Sequence, residues 1–390
     1  MSHPRWLPLR VAHLTTVDMS LALLLGPQLD AVVEAGGEAI GVSASGPFVP
    51  DLERRGVRHL ALASSTRGWD PAADLRAARE LWQVLRRERP TVLHTHNPKP
   101  GVYGRVVGRL AGVPIVVNTV HGLYATEDDR WARRAVVYSL EALASRFSDA
   151  ELVQNAEDVT TMQQLRLAAR RKIRLLGNGV DLERFQADLH TPDERRALRA
   201  EWGAGDETVV VGTVGRLVAE KGYPELFEAV ASLDMVRLVV VGGHDPDKAD
   251  ALDASLVDDA HRAGVTFLGH RTDVDRLLGA FDVFVLASHR EGFPRAAMEA
   301  AAVGLPVVAT DIRGCRQVVE HDVTGFLVPP RDATALREAI RGVAGDPVRR
   351  REMGQAAAAK ARREFDEREV VGRVMDCYRR VAARKGITLG

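Results

Sequence analysis

Residues 281–306 read FDVFVLASHREGFPRAAMEAAAVGLP, and their order points to the fold. FDVFVLAS carries the apolar run Phe284-Val285-Leu286, of the kind buried in a parallel sheet. His289-Arg290-Glu291-Gly292-Phe293 is polar and glycine-broken, so it reads as a loop. Pro294 fits the first position of a helix, where its missing N–H costs nothing. Ala296 to Ala302 supplies good helix formers, and Gly304 with Pro306 stops them. Two carboxylates sit on this frame, Glu291 in the loop and Glu299 in the helix. Glu299 lies about 7–8 Å along the axis from Pro294 at 1.5 Å per residue. The free amides of Gly292, Phe293 and the first turn leave by the same mouth and favour an anion.

Outward from this stretch the pattern of strand, loop and helix recurs. VVVGTVG (209–215) is a buried strand, followed by a loop flanked by Arg216 and Lys221 that enters a helix at Tyr223-Pro224. Two cations five residues apart at a helix mouth suit a diphosphate. RLVVVGG (237–243) is the next strand, and the loop Gly269-His270-Arg271 comes later. Residues 306–332 give a strand, a loop with Gly314, a short helix and Thr324-Gly325-Phe326-Leu327-Val328. Asp332 caps a helix, and the chain is helical from there to about Ala383.

The first half opens as a βαβ unit. PLRVAHLT (8–15) is a strand, Leu21 to Glu34 a helix stopped by Gly36-Gly37, and EAIGVSAS (38–45) a strand. No G-x-G-x-x-G follows the first strand, which sets aside a nicotinamide cofactor. Thr16 lies at the carboxyl end of that strand, where ligands bind in open α/β sheets. VRHLAL (57–62) is a strand, Asp74 to Glu88 a helix, and TVLHTH (91–96) a strand. His94, Thr95, His96, Asn97 and Lys99 lie at its carboxyl end, and His121-Gly122 ends the next strand. Three histidines raise the question of a metal, but no carboxylate completes a familiar ligand triad, so no metal is expected. WARRAVVYSLEALASRF (131–147) is an amphipathic helix with Arg130, Arg133 and Arg134 near its start. It is either a solvated face or a dock for anionic headgroups. Gly177 and Gly179 permit unusual backbone angles where the first domain ends, near Phe185.

With 390 residues, two domains are expected. Lys+Arg and Asp+Glu both number 53, which argues against a chain dominated by nucleic-acid binding. Two cysteines, Cys315 and Cys377, form no CxxC, so a reducing compartment and no structural zinc are expected. No signal peptide and no apolar run of spanning length is expected.

Glu291-Gly292-Phe293-Pro294 followed by Glu299-Ala300 resembles the E-x7-E signature of retaining GT-B glycosyltransferases of family four. His-Thr-His-x-Pro-Lys-x-Gly from His94, then His121-Gly122, is similar to bacterial transferases that build capsular, exopolysaccharide and lipid-linked glycans. The resemblance covers about residues 8–380 and is strongest over 212–332. It implies two doubly wound, Rossmann-like parallel-sheet domains facing a cleft. Residues 1–185 would bind the acceptor, 186–370 the nucleotide sugar, and 371–390 would form a helix crossing back.

By the same resemblance Glu291, Gly292, Phe293 and Pro294 hold the donor sugar, and Glu299 its ribose. Arg216 and Lys221 grip the diphosphate, Arg271 lies on the loop that carries the base, and His121 lies near the reacting sugar. Thr16 is a further donor-side candidate, and His96, Asn97 and Lys99 lie on the acceptor side. The implied reaction moves a hexosyl or N-acetylhexosaminyl group, most simply from a UDP-sugar, to a hydroxyl of a lipid-linked sugar or other glycan. Configuration is retained, the nucleotide sugar is substrate rather than cofactor, and no metal is needed. A cytoplasmic chain, peripheral on the membrane face, is the matching location. Alternatives are a nucleotide-sugar epimerase of similar architecture, a non-catalytic sensor, and a transferase acting on a small-molecule acceptor.

Overall fold

A computed structural model of the chain describes residues 5–66, 68, 70–96, 98–126, 129–187, 190–244 and 250–390. The chain divides into two compact units, 1–177 with 368–390, and 178–367. The division falls after Gly177 rather than near Phe185. The physical reason is burial: Val180 and Phe185 pack with Trp202 and Phe281 in the second unit's core.

In the first unit the strands are β1 (Arg5–Leu7), β2 (Arg10–Val17), β3 (Glu38–Ala44), β4 (Arg58–Ala61), β5 (Val92–His96), β6 (Ile115–Val120), β7 (Ala150–Val153) and β8 (Ile173–Leu175). Seven form one sheet in the order β4-β3-β2-β5-β6-β7-β8, every pair parallel. The second unit holds β9 (Val209–Val214), β10 (Val236–Val241), β11 (Thr266–Phe267), β12 (Val283–Leu286), β13 (Val307–Thr310) and β14 (Gly325–Val328). Its order is β11-β10-β9-β12-β13-β14, again parallel throughout. Numbered within each unit's main sheet, both begin 3-2-1-4-5-6, the doubly wound order.

Burial follows from that order. Val210, Val239, Phe284 and Leu286 fall in one apolar cluster, and Val211, Val240, Val283 and Val285 in another. Successive strand residues point to opposite faces, so both faces of the sheet are covered. In the first unit Arg105, fully buried, bonds Glu151 at 3.0 Å, Glu141 at 2.6 Å and the Gly101 carbonyl at 2.6 Å. Asn118 Nδ2 donates to Glu151 at 2.8 Å, and Thr95 Oγ1 donates to Asn118 at 2.8 Å. This network ties β5, β6 and β7 together behind the strand ends that carry the histidines.

One local reading differs. The helix expected over Leu21 to Glu34 is two, Asp18–Leu24 and Gly26–Glu34, because Pro27 starts a new helix with no N–H to continue the old one. After β7, Asn155 caps a helix, Ala156–Gln164, by accepting from Glu157 N. Ile387–Leu389 is β15, which pairs in parallel with β1. The helix Glu367–Arg384 buries Val370, Val374, Tyr378 and Val381 in the first unit's core beside Val11, Val92 and Val117. Among the described residues no helix is long and apolar enough to cross a membrane.

Candidate active site

In the second unit β9 and β12 are hydrogen-bonded neighbours, with Val211 opposite Val283. They are the first and fourth strands, so their crossovers leave on opposite faces. A crevice opens at such a point beyond the carboxyl ends. The loop after β9 carries Arg216 and Lys221, and the loop after β12 carries Glu291 to Pro294.

The two loops are knitted together. Gly222 has φ 69°, and a Cβ there would lie 2.0 Å from the Ala287 carbonyl oxygen, so only glycine allows the approach. His289 N donates to Glu220 O at 2.8 Å, and His289 Nε2 lies 2.9 Å from Glu225 Oε1. Lys221 Nζ stands 2.6 Å from Glu291 Oε1. Ser288 Oγ donates to the same oxygen at 2.8 Å. Among the described residues Glu291 Oε2 accepts no side-chain bond, which leaves an anionic oxygen to receive a hydroxyl. Behind the loop, a Cβ on Gly314 would come 2.5 Å from the Glu291 carbonyl oxygen. Ser288 and Gly314 thus hold Glu291 in place. Neither stood out as a site residue in the sequence, although Ser288 is only three positions from Glu291.

Pro294 is the N-cap of the helix Arg295–Ala302, not its first residue: at ψ 107° it is still extended. Asn178 Nδ2 donates to the Phe293 carbonyl at 3.3 Å and steadies that loop. Glu299, four residues on from Arg295, accepts from its Nε at 3.0 Å, and Glu367 lies 3.6 Å from the same guanidinium. Burial pushes the Glu299 carboxyl above its ordinary pKa, against the pull of Arg295. Arg216 is half-buried at the end of β9. Arg271 is exposed, and its guanidinium is held by Asp273 at 2.8 and 2.6 Å, so reaching a nucleotide requires giving up that pair.

The first unit has its own switch point, between β2 and β5. His13 on β2 is opposite His94 on β5. His13, His94 and His96 are all fully buried. His96 therefore cannot touch an acceptor directly, contrary to its expected role. It links His13, at 3.1 Å from its Nε2, to His121, at 3.0 Å from its Nδ1. Lys99 is also committed. Its ammonium donates to the carbonyls of Thr66 at 3.0 Å and Gly68 at 2.6 Å, and pairs with Asp74 at 2.6 Å. Thr16 lies inside β2, half-buried, and its carbonyl accepts from Ser65 Oγ at 3.0 Å. Asn97 lies outside the described residues.

His13, His94 and His96 each bring a ring nitrogen within 4.8 Å of the others, a spacing that could gather around an ion. The hydrogen bonds account for these atoms differently. All six ring nitrogens of the three have a partner: His13 and His96 each other, His96 also His121, His94 the Thr119 and Tyr378 hydroxyls, and His13 also Tyr378. Burial holds every histidine of the group neutral. It pushes His13 down to about 3 and His121 to about 4, with His94 and His96 also well below the ordinary imidazole value.

Residues 29–184 match the family model described as Glycosyltransferase Family 4, and residues 194–360 match Glycosyl transferases group 1. The chain is 30% identical over 311 residues to the UDP-Gal:alpha-D-GlcNAc-diphosphoundecaprenol alpha-1,3-galactosyltransferase of Escherichia coli, spanning 78% of this chain and 79% of that one. It is 24% identical over 378 residues to a Campylobacter jejuni enzyme named N,N'-diacetylbacillosaminyl-diphospho-undecaprenol alpha-1,3-N-acetylgalactosaminyltransferase, spanning 96% and 99%. Among solved structures, Anabaena Alr3699/HepE in complex with UDP and glucose superposes with a TM-score of 0.78 at 22% identity, over 95% of this chain and 99% of that one.

Two stability predictions follow from the protonation of the site. The buried histidines stay neutral in the fold, while the unfolded chain takes up protons near pH 6.5. Stability is therefore full above that pH and falls as the pH drops below it, by about 1.4 kcal/mol per unit for each such histidine. Urea midpoints at pH 7.5 and 5.5 should differ accordingly, and His13→Asn should flatten the slope; an unchanged slope contradicts the assignment. Glu299 has the opposite sense. Its raised pKa gives stability below about pH 4.5 that is lost as the pH rises through the shifted value. Glu299→Gln should melt no lower than the parent at pH 7.5, and a clear drop would mean that the Arg295 pair outweighs burial.

Proposed function

Because this chain belongs to the family-four glycosyltransferases of GT-B fold, we propose that it moves a hexosyl or N-acetylhexosaminyl group from a UDP-sugar to a hydroxyl of a lipid-linked sugar, with retained configuration and without a divalent metal. The observation that carries this reading is the joining of Lys221 and Glu291 at the switch point of the second unit, 2.6 Å apart. A carboxylate with one open oxygen suits a sugar hydroxyl. An ammonium beside it, with three donors of which Glu291 uses one, suits a phosphate. The Escherichia coli and Campylobacter jejuni transferases, each named for a diphosphoundecaprenol-linked sugar, support the acceptor class.

In this reading Glu291 and the amides of Gly292 and Phe293 orient the donor sugar, with Pro294 starting the helix behind them. Glu299 holds the ribose, and the loop of Arg271 flanks the base. Arg216 and Lys221 bind the diphosphate. The bond from the anomeric carbon to the phosphate oxygen breaks, and one from that carbon to the acceptor oxygen forms on the same face. The departing phosphate takes the acceptor's proton. Lys221 and Arg216 stabilise the charge growing on the diphosphate, the task a divalent ion performs elsewhere. The family resemblance assigns His121 to the reacting sugar and Thr16 to the donor. Lys99 acts indirectly, by holding residues 66 and 68.

Lys221→Ala should lower kcat by about 10²–10³-fold with a smaller change in donor KM, and NMR of the product should show the donor's anomeric configuration. Equal losses in kcat and in affinity would make Lys221 a ground-state binder, and an inverted product would end the retaining assignment. Glu299→Gln should weaken UDP binding by about 10- to 100-fold, the worth of a hydrogen bond to a charged group.

We further propose peripheral membrane contact at the cytoplasmic face through the helix Trp131–Ala144. Only Ala144 of this helix is buried, Trp131 is 81% exposed, and Val136, Leu140 and Leu143 are exposed with it. Apolar side chains beside Arg130, Arg133 and Arg134 make an amphipathic surface suited to an anionic bilayer. The chain should sediment with vesicles containing phosphatidylglycerol and less with neutral ones. Trp131→Ala with Leu143→Ser should abolish the difference; equal binding to both vesicle types removes the proposal.

A further inference from the structure

The buried histidines form one continuous hydrogen-bonded line. It runs Thr119 Oγ1 to His94 Nε2 at 2.7 Å, His94 Nδ1 to the Tyr378 hydroxyl at 2.6 Å, and that hydroxyl to His13 Nε2 at 3.5 Å. It continues from His13 Nδ1 to His96 Nε2 at 3.1 Å and from His96 Nδ1 to His121 Nε2 at 3.0 Å. Thr119 and Tyr378 are as buried as the rings between them. His121 alone is partly exposed, at the carboxyl end of β6.

A neutral imidazole donates from one nitrogen and accepts at the other. The whole line therefore has two consistent arrangements. Either every proton points toward His121 or every proton points away from it. Any mixture sets two donors or two lone pairs against each other, or has the Tyr378 oxygen accept from both neighbours and strands its O–H, in the core, where a lost hydrogen bond is costly. The distances choose between the two. A phenol is the more acidic partner of an imidazole, and 2.6 Å is a short separation that suits O–H donating to His94 Nδ1. His94 Nε2–H then donates to Thr119. The Tyr378 oxygen is left to accept from His13 Nε2–H across the longest link. His96 Nε2–H donates to His13, and His121 Nε2–H donates to His96.

We infer that Tyr378, through His13 and His96, is a positioning residue that fixes His121 as the Nε2–H tautomer and leaves the lone pair on Nδ1 to accept, from the Gln154 side chain that hydrogen-bonds His121 or from a ligand that displaces it. The C-terminal helix, which supplies Tyr378, thereby sets the hydrogen-bonding sense of a residue it does not touch. A ring fixed in this way accepts from a sugar hydroxyl at Nδ1 rather than donating to it. This use of the lone pair rests on the placement of His121 near the reacting sugar; the tautomer itself does not.

The test is 15N NMR of the full chain with labelled histidine, the His121 signals assigned by His121→Gln. At pH 7.5 the unprotonated nitrogen of His121 should be Nδ1. Thr119→Val removes the acceptor for His94 Nε2–H. An orphaned buried donor costs more than an orphaned lone pair, so the line should reverse. His121 should then become the Nδ1–H tautomer, five links from the substitution. Tyr378→Phe cuts the line and should give both tautomers. A parent already protonated at Nδ1, or a Thr119→Val chain whose His121 tautomer is unchanged, overturns the inference. Should Tyr378→Phe fail to fold, the Thr119→Val comparison decides alone. Transfer assays on His121→Gln separate the two layers: full turnover there would end the catalytic placement of His121 while the tautomer results still stand or fall by themselves.

Discussion

A parallel sheet wound in both directions has one place where adjacent crossovers depart to opposite faces, and that constraint governs both halves of this chain. Between β9 and β12 it opens the crevice that receives Lys221 and Glu291. Between β2 and β5 it gathers His13, His94 and His96. In the second unit the middle strands are otherwise apolar and covered on both sides, whereas the first also buries Asn118 and Glu151 with Arg105. The candidate site residues collect at the two switch points because the diverging crossovers leave room there.

Each site is also a local cost to stability. Glu299 is a carboxylate whose charge is disfavoured by burial and only partly relieved by Arg295. The histidine line is held neutral by burial as well, and becomes a cost only as the pH falls below about 6.5. Apolar side chains of similar volume would fold at least as well. Their retention fits a division of labour in which the core of each unit supplies stability and the strand ends use some of it.

The sequence carried the fold well, and the reasons are specific. Buried parallel strands are short apolar runs, and those at 209–215, 237–243 and 281–288 stand out against their polar loops. Glu291, Glu299 and Lys221 stand out as candidates because they follow such strands, in the loop or in the helix just after it. The partnerships were less so. Lys221 and Glu291 are 70 residues apart, and no local pattern says that they touch. His94 and Tyr378 are separated by 284 residues and come from elements whose packing only the folded chain reveals. His13 had a faint signal, a histidine inside an otherwise apolar strand, but its partner across the sheet depends on register. For His96 and Lys99, position at a strand end does not disclose burial or a neighbouring carbonyl that captures an ammonium.

The central claim is that the protein's own cations at the second switch point carry the leaving diphosphate. The measurement that addresses it most directly is UDP release from a panel of UDP-sugars in EDTA, with and without a polyprenyl-diphosphate-linked sugar. The account requires release from one donor, dependent on the lipid-linked acceptor and unchanged by EDTA. Release that stops in EDTA and returns only with a divalent cation would contradict it.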